Sequence, residues 1–244
     1  LGGLLMSKAY PYDSNEARAW AGAITALMSG EAYKLSAIVA AKLGAYAGYK
    51  TNKEPQLKVI AMHRDEVKKI NQKDIDDKKL YEASAKVWNE ALAQAKKYGV
   101  RNSQVTVIAP TGTIALMMDC ACTGIEPLFA TFIYKQLVGG GYMKFVADTI
   151  PMALQRLKYS AKPIKNIMAW IDEKGAIEGA PELKPEHLAV FDCAVKPATG
   201  TRSIHWQGHV KMVAAVQPFI SGAISKTFNM SEEVTAEEIQ EAYL

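Results

Sequence analysis

Apolar positions recur at helical spacing through the first hundred residues, and the pattern predicts four amphipathic helices. Asp13 with Glu16 three positions on predicts a capped helix running to about Ser29, with Trp20, Ile24, Leu27 and Met28 on its inner face. A second is expected from about Glu31, with Leu35, Ile38, Val39 and Tyr46 on one side and an end between Gly44 and Gly48. Pro55 predicts the start of a third, whose inner face is Leu57, Ile60, Ala61 and Val67. A charged connector, Asn71 to Lys79, precedes a fourth helix carrying Trp88, Ala91, Leu92, Ala95 and Tyr98, stopped by Gly99. By itself this half predicts a helical bundle.

The pattern changes at Gln104. Gln104 to Ala109 is apolar and β-branched between turn residues, which predicts a short buried strand. It runs into Pro110-Thr111-Gly112-Thr113 and then an apolar helical run, Ile114 to Met118. An irregular zone is expected from Cys120 to Gly141, including Gly124-Ile125-Glu126-Pro127 and three consecutive glycines. Two helices are predicted next, Tyr142 to Lys158, kinked or split by Pro151, and Pro163 to Lys174. Gly175 to Arg202 reads as loop, Ile204 to Val216 as helix and Gly222 to Met230 as strand. Thr235 with Glu238 forms the capping-box spacing of a last helix.

Composition narrows the class. With 244 residues, 49% of them hydrophobic and 22% charged, a disordered or collagen-like chain is excluded. The net charge of +4, from 29 basic and 25 acidic side chains, falls short of a dedicated nucleic-acid binder and predicts no direct nucleic-acid contact. No apolar run is long enough to span a bilayer as one helix. Three cysteines, an odd number, favour a reducing compartment, so the expected location is cytoplasmic. The chain opens Leu1-Gly2-Gly3 and closes within the helix begun at Thr235, so it is expected to be a fragment of a longer protein.

Strand, Pro-Thr-Gly-Thr, helix is an arrangement that suits an anion. The first amides of a helix lack intrahelical acceptors and the macrodipole adds positive potential there. Gly112 permits close backbone approach, and the Thr111 and Thr113 hydroxyls add donors without bulk. The loop lacks the Gly-Lys-Ser/Thr of a Walker A motif, and an ordinary capped turn explains the same residues equally well.

The other candidates are weaker. Cys120-Ala121-Cys122 lacks the two-residue spacer of redox or zinc pairs, and buried packing is the simpler role for these thiols and for Cys193. His205 and His209 have metal-ligand spacing, yet no third ligand is apparent and Arg202 and Lys211 lie close by. No metal is expected. Glu126 is expected to be a solvated loop carboxylate. Lys226, inside an otherwise uncharged strand, must face solvent or an anion, and a surface position at the strand end is favoured.

The strings RNSQVTVIAPTGTIALMMDCACTGIEP, HLAVFDCAVKPATG and RSIHWQGHVKMVAAVQPFISGAISKTFNM, with the opening LGGLLMSKAYPYDSNEARAWAGAITALMSGEAY, resemble the catalytic subunit of ribonucleotide reductase of the adenosylcobalamin-dependent class. The likeness covers essentially the whole chain, in order. It implies the helix-rich C-terminal part of a ten-stranded α/β barrel, with residues 1–244 a partial catalytic barrel domain, helical over 1–99 and carrying the phosphate loop and barrel strands over 100–244. It implies reduction of ribonucleoside diphosphates or triphosphates to 2′-deoxyribonucleotides by a cysteine thiyl radical, with adenosylcobalamin (vitamin B12) as cofactor and a thioredoxin-type reductant as partner. A homodimer is compatible with it. The family's phosphate-binding loop maps onto Pro110, Thr111, Gly112, Thr113 and Ile114.

The family's thiyl cysteine sits in an Asn-x-Cys-x-Glu loop, and none of Cys120, Cys122 and Cys193 has that context. No catalytic residue is therefore assigned in this chain, and the fragment alone is expected to be inactive. A class I reductase subunit shares the same barrel. A non-catalytic nucleotide-binding or helical interaction module, with the Thr-rich turn as a cap only, is the reading from another class.

Overall fold

The computed structural model describes residues 1–136 and 139–244. Two compact units are distinguishable by their internal contacts. The first, here the helical unit, comprises residues 18–109 and 211–225; the second, the mixed unit, comprises residues 1–17, 110–210 and 226–244.

The segment expected to be two helices is one, α2 (Asn15–Leu43), which belongs to the helical unit from Arg18 onward. At its start Ser14 Oγ accepts from Ala17 N. Gly30 does not break it because it serves packing: a Cβ there would lie 2.5 Å from Val87 Cγ1 on α4 (Lys78–Tyr98). The expected faces hold in part, with Trp20 buried and Leu27 and Tyr46 packed against the core, and shift in part. Small or polar residues, Ala26, Ser29, Ser36 and Ala37, go inward with Tyr33, while Met28, Leu35 and Ile38 are 45%, 60% and 41% exposed.

The next helix, α3 (Tyr49–Glu66), begins six residues before Pro55, and its backbone leaves helical geometry at Asn52. Pro55 thus falls in the first turn after that kink, where its missing N–H costs little. Asp77 caps α4 through Leu80 N, and Gly99 ends it at φ +76°. Trp88, Ala91, Leu92 and Ala95 are buried as the pattern predicts, joined by Tyr33, Ile60, Val67 and Phe219, whereas Tyr98 is exposed.

The expected strand at Gln104–Ala109 is only partly realised. Thr106 O and Ile108 O accept from Gly222 N and Ser225 N, and Ile108 N donates to Ala223 O, a parallel pairing reduced to one bridge between Ile108 and Ile224. Side chains take over the remaining backbone groups. Ser221 Oγ accepts from Val105 N and Thr106 N, Tyr33 donates to Ser103 O, and Ser36 Oγ accepts from Asn102 N. The segment is not buried either, since Val107 is 61% exposed. Past Ser225 the expected strand to Met230 does not continue.

The mixed unit contains α1 (Gly2–Ser7), α5 (Gly112–Met117), β1 (Phe132–Gln136), β2 (Tyr142–Val146), α6 (Thr149–Arg156), α7 (Ala161–Lys174) and α9 (Ala236–Tyr243). A further helix, α8 (Trp206–Val216), contributes its first residues here and its later ones to the helical unit. Strands β1 and β2 form an antiparallel hairpin pairing Phe132 with Val146 and Gln136 with Tyr142. Residues expected as irregular backbone and as the start of a helix are therefore strand. Gly139, Gly140 and Gly141 all have positive φ, and the turn needs residues free to adopt it. Leu137 and Val138, within the expected irregular zone, lie outside the described residues.

Pro151 neither kinks nor splits a helix, because α6 starts only at Thr149 and the proline occupies its first turn. Helices α1 and α6 pack together, and the core beneath them includes Met6, Leu128, Ile150, Leu154, Ile167 and Phe191. At α9 the capping box forms as predicted, with Thr235 Oγ1 accepting from Glu238 N and Glu238 Oε2 from Thr235 N.

Candidate functional site

The Pro-Thr-Gly-Thr loop adopts a strained, open conformation. Thr111 has φ +53°, uncommon for a β-branched residue, and Gly112 follows at φ +26°. Gly112 N donates to Pro110 O at 2.7 Å, closing a tight turn, and Ala115 N to Thr111 O begins α5. Thr113 and Ile114, between them, occupy the first turn of α5, where amides precede any intrahelical acceptor. A Cβ at Gly112 would meet nothing within 4 Å, so that side of the loop is open. Thr111 Oγ1 is buried and has no hydrogen-bond partner among the described residues, a cost of about 1–3 kcal/mol unless a ligand satisfies it.

Beside the loop is a hollow of about 520 Å³, walled by Thr111, Ile114, Met118, Cys120, Cys122 and Leu4. Its walls are mostly apolar. Cys122 is half-buried and its Sγ accepts from Gly3 N at 3.1 Å; Cys120 is exposed. Cys193 lies apart in the core, where burial pushes its thiol up to about 12 and makes it inert. All three thiols are free.

The charged residues depart most from expectation. The Lys226 side chain is only 2% exposed, so the favoured surface position is corrected. Its Nζ donates to Glu126 Oε2 at 2.5 Å, to His209 Nδ1 at 2.7 Å and to Thr227 O at 2.5 Å. Three ammonium protons thus meet three acceptors. Glu126 is correspondingly not a solvated carboxylate: its other oxygen accepts from Thr227 N at 2.8 Å, and its side chain is 20% exposed. The neighbouring backbone is held too, because Tyr12 OH donates to Ile125 O. Burial first, then repulsion from Glu126, raises the Tyr12 phenol far above its ordinary range.

His209 is fully buried and 6.0 Å from the Tyr12 ring. Since its Nδ1 accepts from Lys226, its proton sits on Nε2, which is buried without a partner among the described residues. Burial, and then the Lys226 charge, lower its pKa to about 4. His205, four residues earlier, is exposed, and no group of three or more His, Cys, Asp or Glu able to hold a metal occurs among the described residues.

A second hollow of about 320 Å³ contains Asp192, Arg202 and Glu178. Arg202 grips Asp192 through two 2.7 Å hydrogen bonds, and Glu178 accepts from Thr201 and Arg202 amides. These groups are already engaged with one another, so the Thr111 loop remains the better candidate for an anion. Sequence reasoning singled out that loop and Lys226, but missed that Glu126, His209 and Tyr12 converge near Lys226. Their separations along the chain leave no local pattern to read.

The described residues contain no helix long and apolar enough to cross a membrane. Residues 1–244 match the family described as "Ribonucleotide reductase, barrel domain". Over its whole length the chain is 51% identical to a "Vitamin B12-dependent ribonucleotide reductase" of Rhodopirellula baltica, of which it covers 23%. It is 49% identical to a protein of the same description from Streptomyces coelicolor, covering 25%. A third, from Bradyrhizobium diazoefficiens, is 34% identical, with 28% covered. The chain spans about a quarter of the length of these curated relatives.

Proposed function

The chain belongs to the ribonucleotide reductase barrel-domain family, and from that premise we propose that it is the phosphate-binding part of a vitamin B12-dependent ribonucleotide reductase. The parent enzyme reduces ribonucleotides, with the diphosphates as the first candidates, to 2′-deoxyribonucleotides by radical chemistry carried on a cysteine outside this chain. Residues Pro110, Thr111, Gly112, Thr113 and Ile114 hold the substrate phosphates. The observation that carries this reading is the buried, unpartnered Thr111 hydroxyl beside an open glycine at the start of a helix. Fixing the phosphates orients the ribose toward the distant radical, and orientation of this kind is worth several kcal/mol, of the ~7–11 kcal/mol available to well-placed reactants.

We take residues 1–244 as one partial barrel domain, within a ten-stranded α/β barrel. The parallel pairing of Thr106 and Ile108 with residues 222–225, followed directly by the loop, supports that placement. Adenosylcobalamin is assigned to the parent enzyme, in keeping with the vitamin B12 dependence in the relatives' descriptions. A thioredoxin-type reductant, a homodimeric assembly and a cytoplasmic location complete the proposal.

The test is Gly112→Val in the full-length enzyme. The side chain narrows the face offered to phosphate, while the backbone strain is confined to an exposed loop. Calorimetric titration should show at least a tenfold loss of ribonucleoside diphosphate affinity, with the thermal midpoint nearly unchanged. Unchanged affinity, or equal affinity of the native enzyme for nucleoside and diphosphate, refutes the assignment.

A further inference from the structure

Lys226 and Thr227 hold the far end of the stretch of the mixed unit that carries the phosphate loop. Lys226 Nζ donates to Glu126 Oε2 at 2.5 Å, two residues beyond Gly124 in the wall of the hollow, and Thr227 N donates to the other Glu126 oxygen. Ahead of this anchor run residues 110–125, including the whole phosphate loop, α5 and both Cys120 and Cys122. We infer that Lys226 and Glu126 form a clasp that fixes the end of this segment and positions the phosphate loop for substrate.

The inference rests on the proposed phosphate-loop reading and adds to it a pair of positioning residues that do not touch substrate. Lys226 cannot serve as a phosphate ligand here, because its three protons are already given to Glu126, His209 and Thr227. Its effect must pass through the backbone. The segment's only helix, α5, has six residues and ends at the bond from Cys120 N to Ala115 O, while Gly3 N and Leu1 N hold it further on at Cys122 Sγ and Gly124 O. A helix that short has little stability of its own. With the clasp open, the segment would sample many conformations, and substrate would have to order it on binding. The imidazole of His209 and the Tyr12 bond to Ile125 O hold the clasp's own position.

The experiment uses the full-length enzyme, assayed with whichever of cytidine diphosphate and cytidine triphosphate supports turnover. Lys226→Met removes the charge at similar length. Glu126→Gln keeps the shape and removes the charge, leaving one acceptor oxygen for Thr227 N and an amide NH2 that cannot accept from Lys226, should the first variant fold poorly. Each should raise KM at least tenfold while kcat changes less than threefold. The double variant should be no worse than the worse single one, and Lys226→Arg should recover most of the loss. A lowered thermal midpoint with KM unchanged, or additive effects in the double variant, overturns the clasp. Gly112→Val run alongside separates the two claims: if it raises KM and the clasp variants do not, only the clasp fails, whereas if it too leaves KM unchanged, the phosphate-loop reading fails.

Discussion

Each unit buries one histidine, and the two are held in opposite ways. His63, in the helical unit, lies 5.2 Å from the Trp88 ring and 6.3 Å from Tyr33, and its Nδ1 bonds to the Pro218 carbonyl. That makes Nδ1 the protonated nitrogen. His209, in the mixed unit, accepts at the same atom from the Lys226 ammonium and carries its proton on Nε2. Burial lowers both pKa values, but only His209 has a cation pressing in the same direction. The helical unit is a packed apolar cluster with a histidine fitted into it. The region around His209 is a polar knot, in which a buried cation is tolerated because all its protons are bonded. Removing a member should cost stability in the first case and geometry as well in the second.

The largest expected effect is on the apolar side. Trp88 is fully buried, and Trp88→Ala should cost about 3–5 kcal/mol through lost burial and the cavity left behind. Urea titration of the variant checks this. A loss below about 1 kcal/mol would mean that the packing around Trp88 contributes little to the helical unit.

The polar side predicts a pH dependence. With a folded pKa of about 4 against the ordinary 6.5, His209 takes up a proton more readily unfolded than folded. Its contribution is therefore constant above about pH 6.5, declines as pH falls toward 4, and levels off below. At about 1.36 kcal/mol per unit the decline amounts to about 3 kcal/mol. His209→Gln should flatten that part of the stability–pH curve, measured by urea titration between pH 4 and 7.5. An unaltered slope would place the proton uptake elsewhere.

The smallest effect tests a feature belonging to neither histidine. Thr235→Ala removes the α9 capping box and should lower stability by about 1 kcal/mol at most, because α9 buries none of its residues. Proteolysis near residues 235–244 should rise. Calorimetry should show the main transition little moved.

Local pattern carried much of the helical unit. The inner face of α4 and the glycine stop at residue 99, and in the mixed unit the Thr235 cap, follow from spacing that the helix itself imposes. Errors arose where a residue's reason lay in a neighbouring element. Gly30 looks like a break because its purpose, room for Val87, is supplied by α4. Leu35 and Ile38 look like core residues because apolarity does not reveal that the small face of α2 is the one that packs. The β1–β2 hairpin was the exception that local chemistry could have found, since aromatic and β-branched runs flank a glycine turn.

Residue order by itself determined the family and the oddity of a lysine in an apolar run. Long in-register strings and backbone-restricting residues are properties of the chain, legible without folding it. Tertiary structure alone decided what that lysine does. Lys226 and Glu126 are 100 residues apart, and no propensity links them until folding brings their charges together away from water. In solvent either group would be satisfied alone; once buried, each requires the other, because an unpaired interior charge costs far more than the pair.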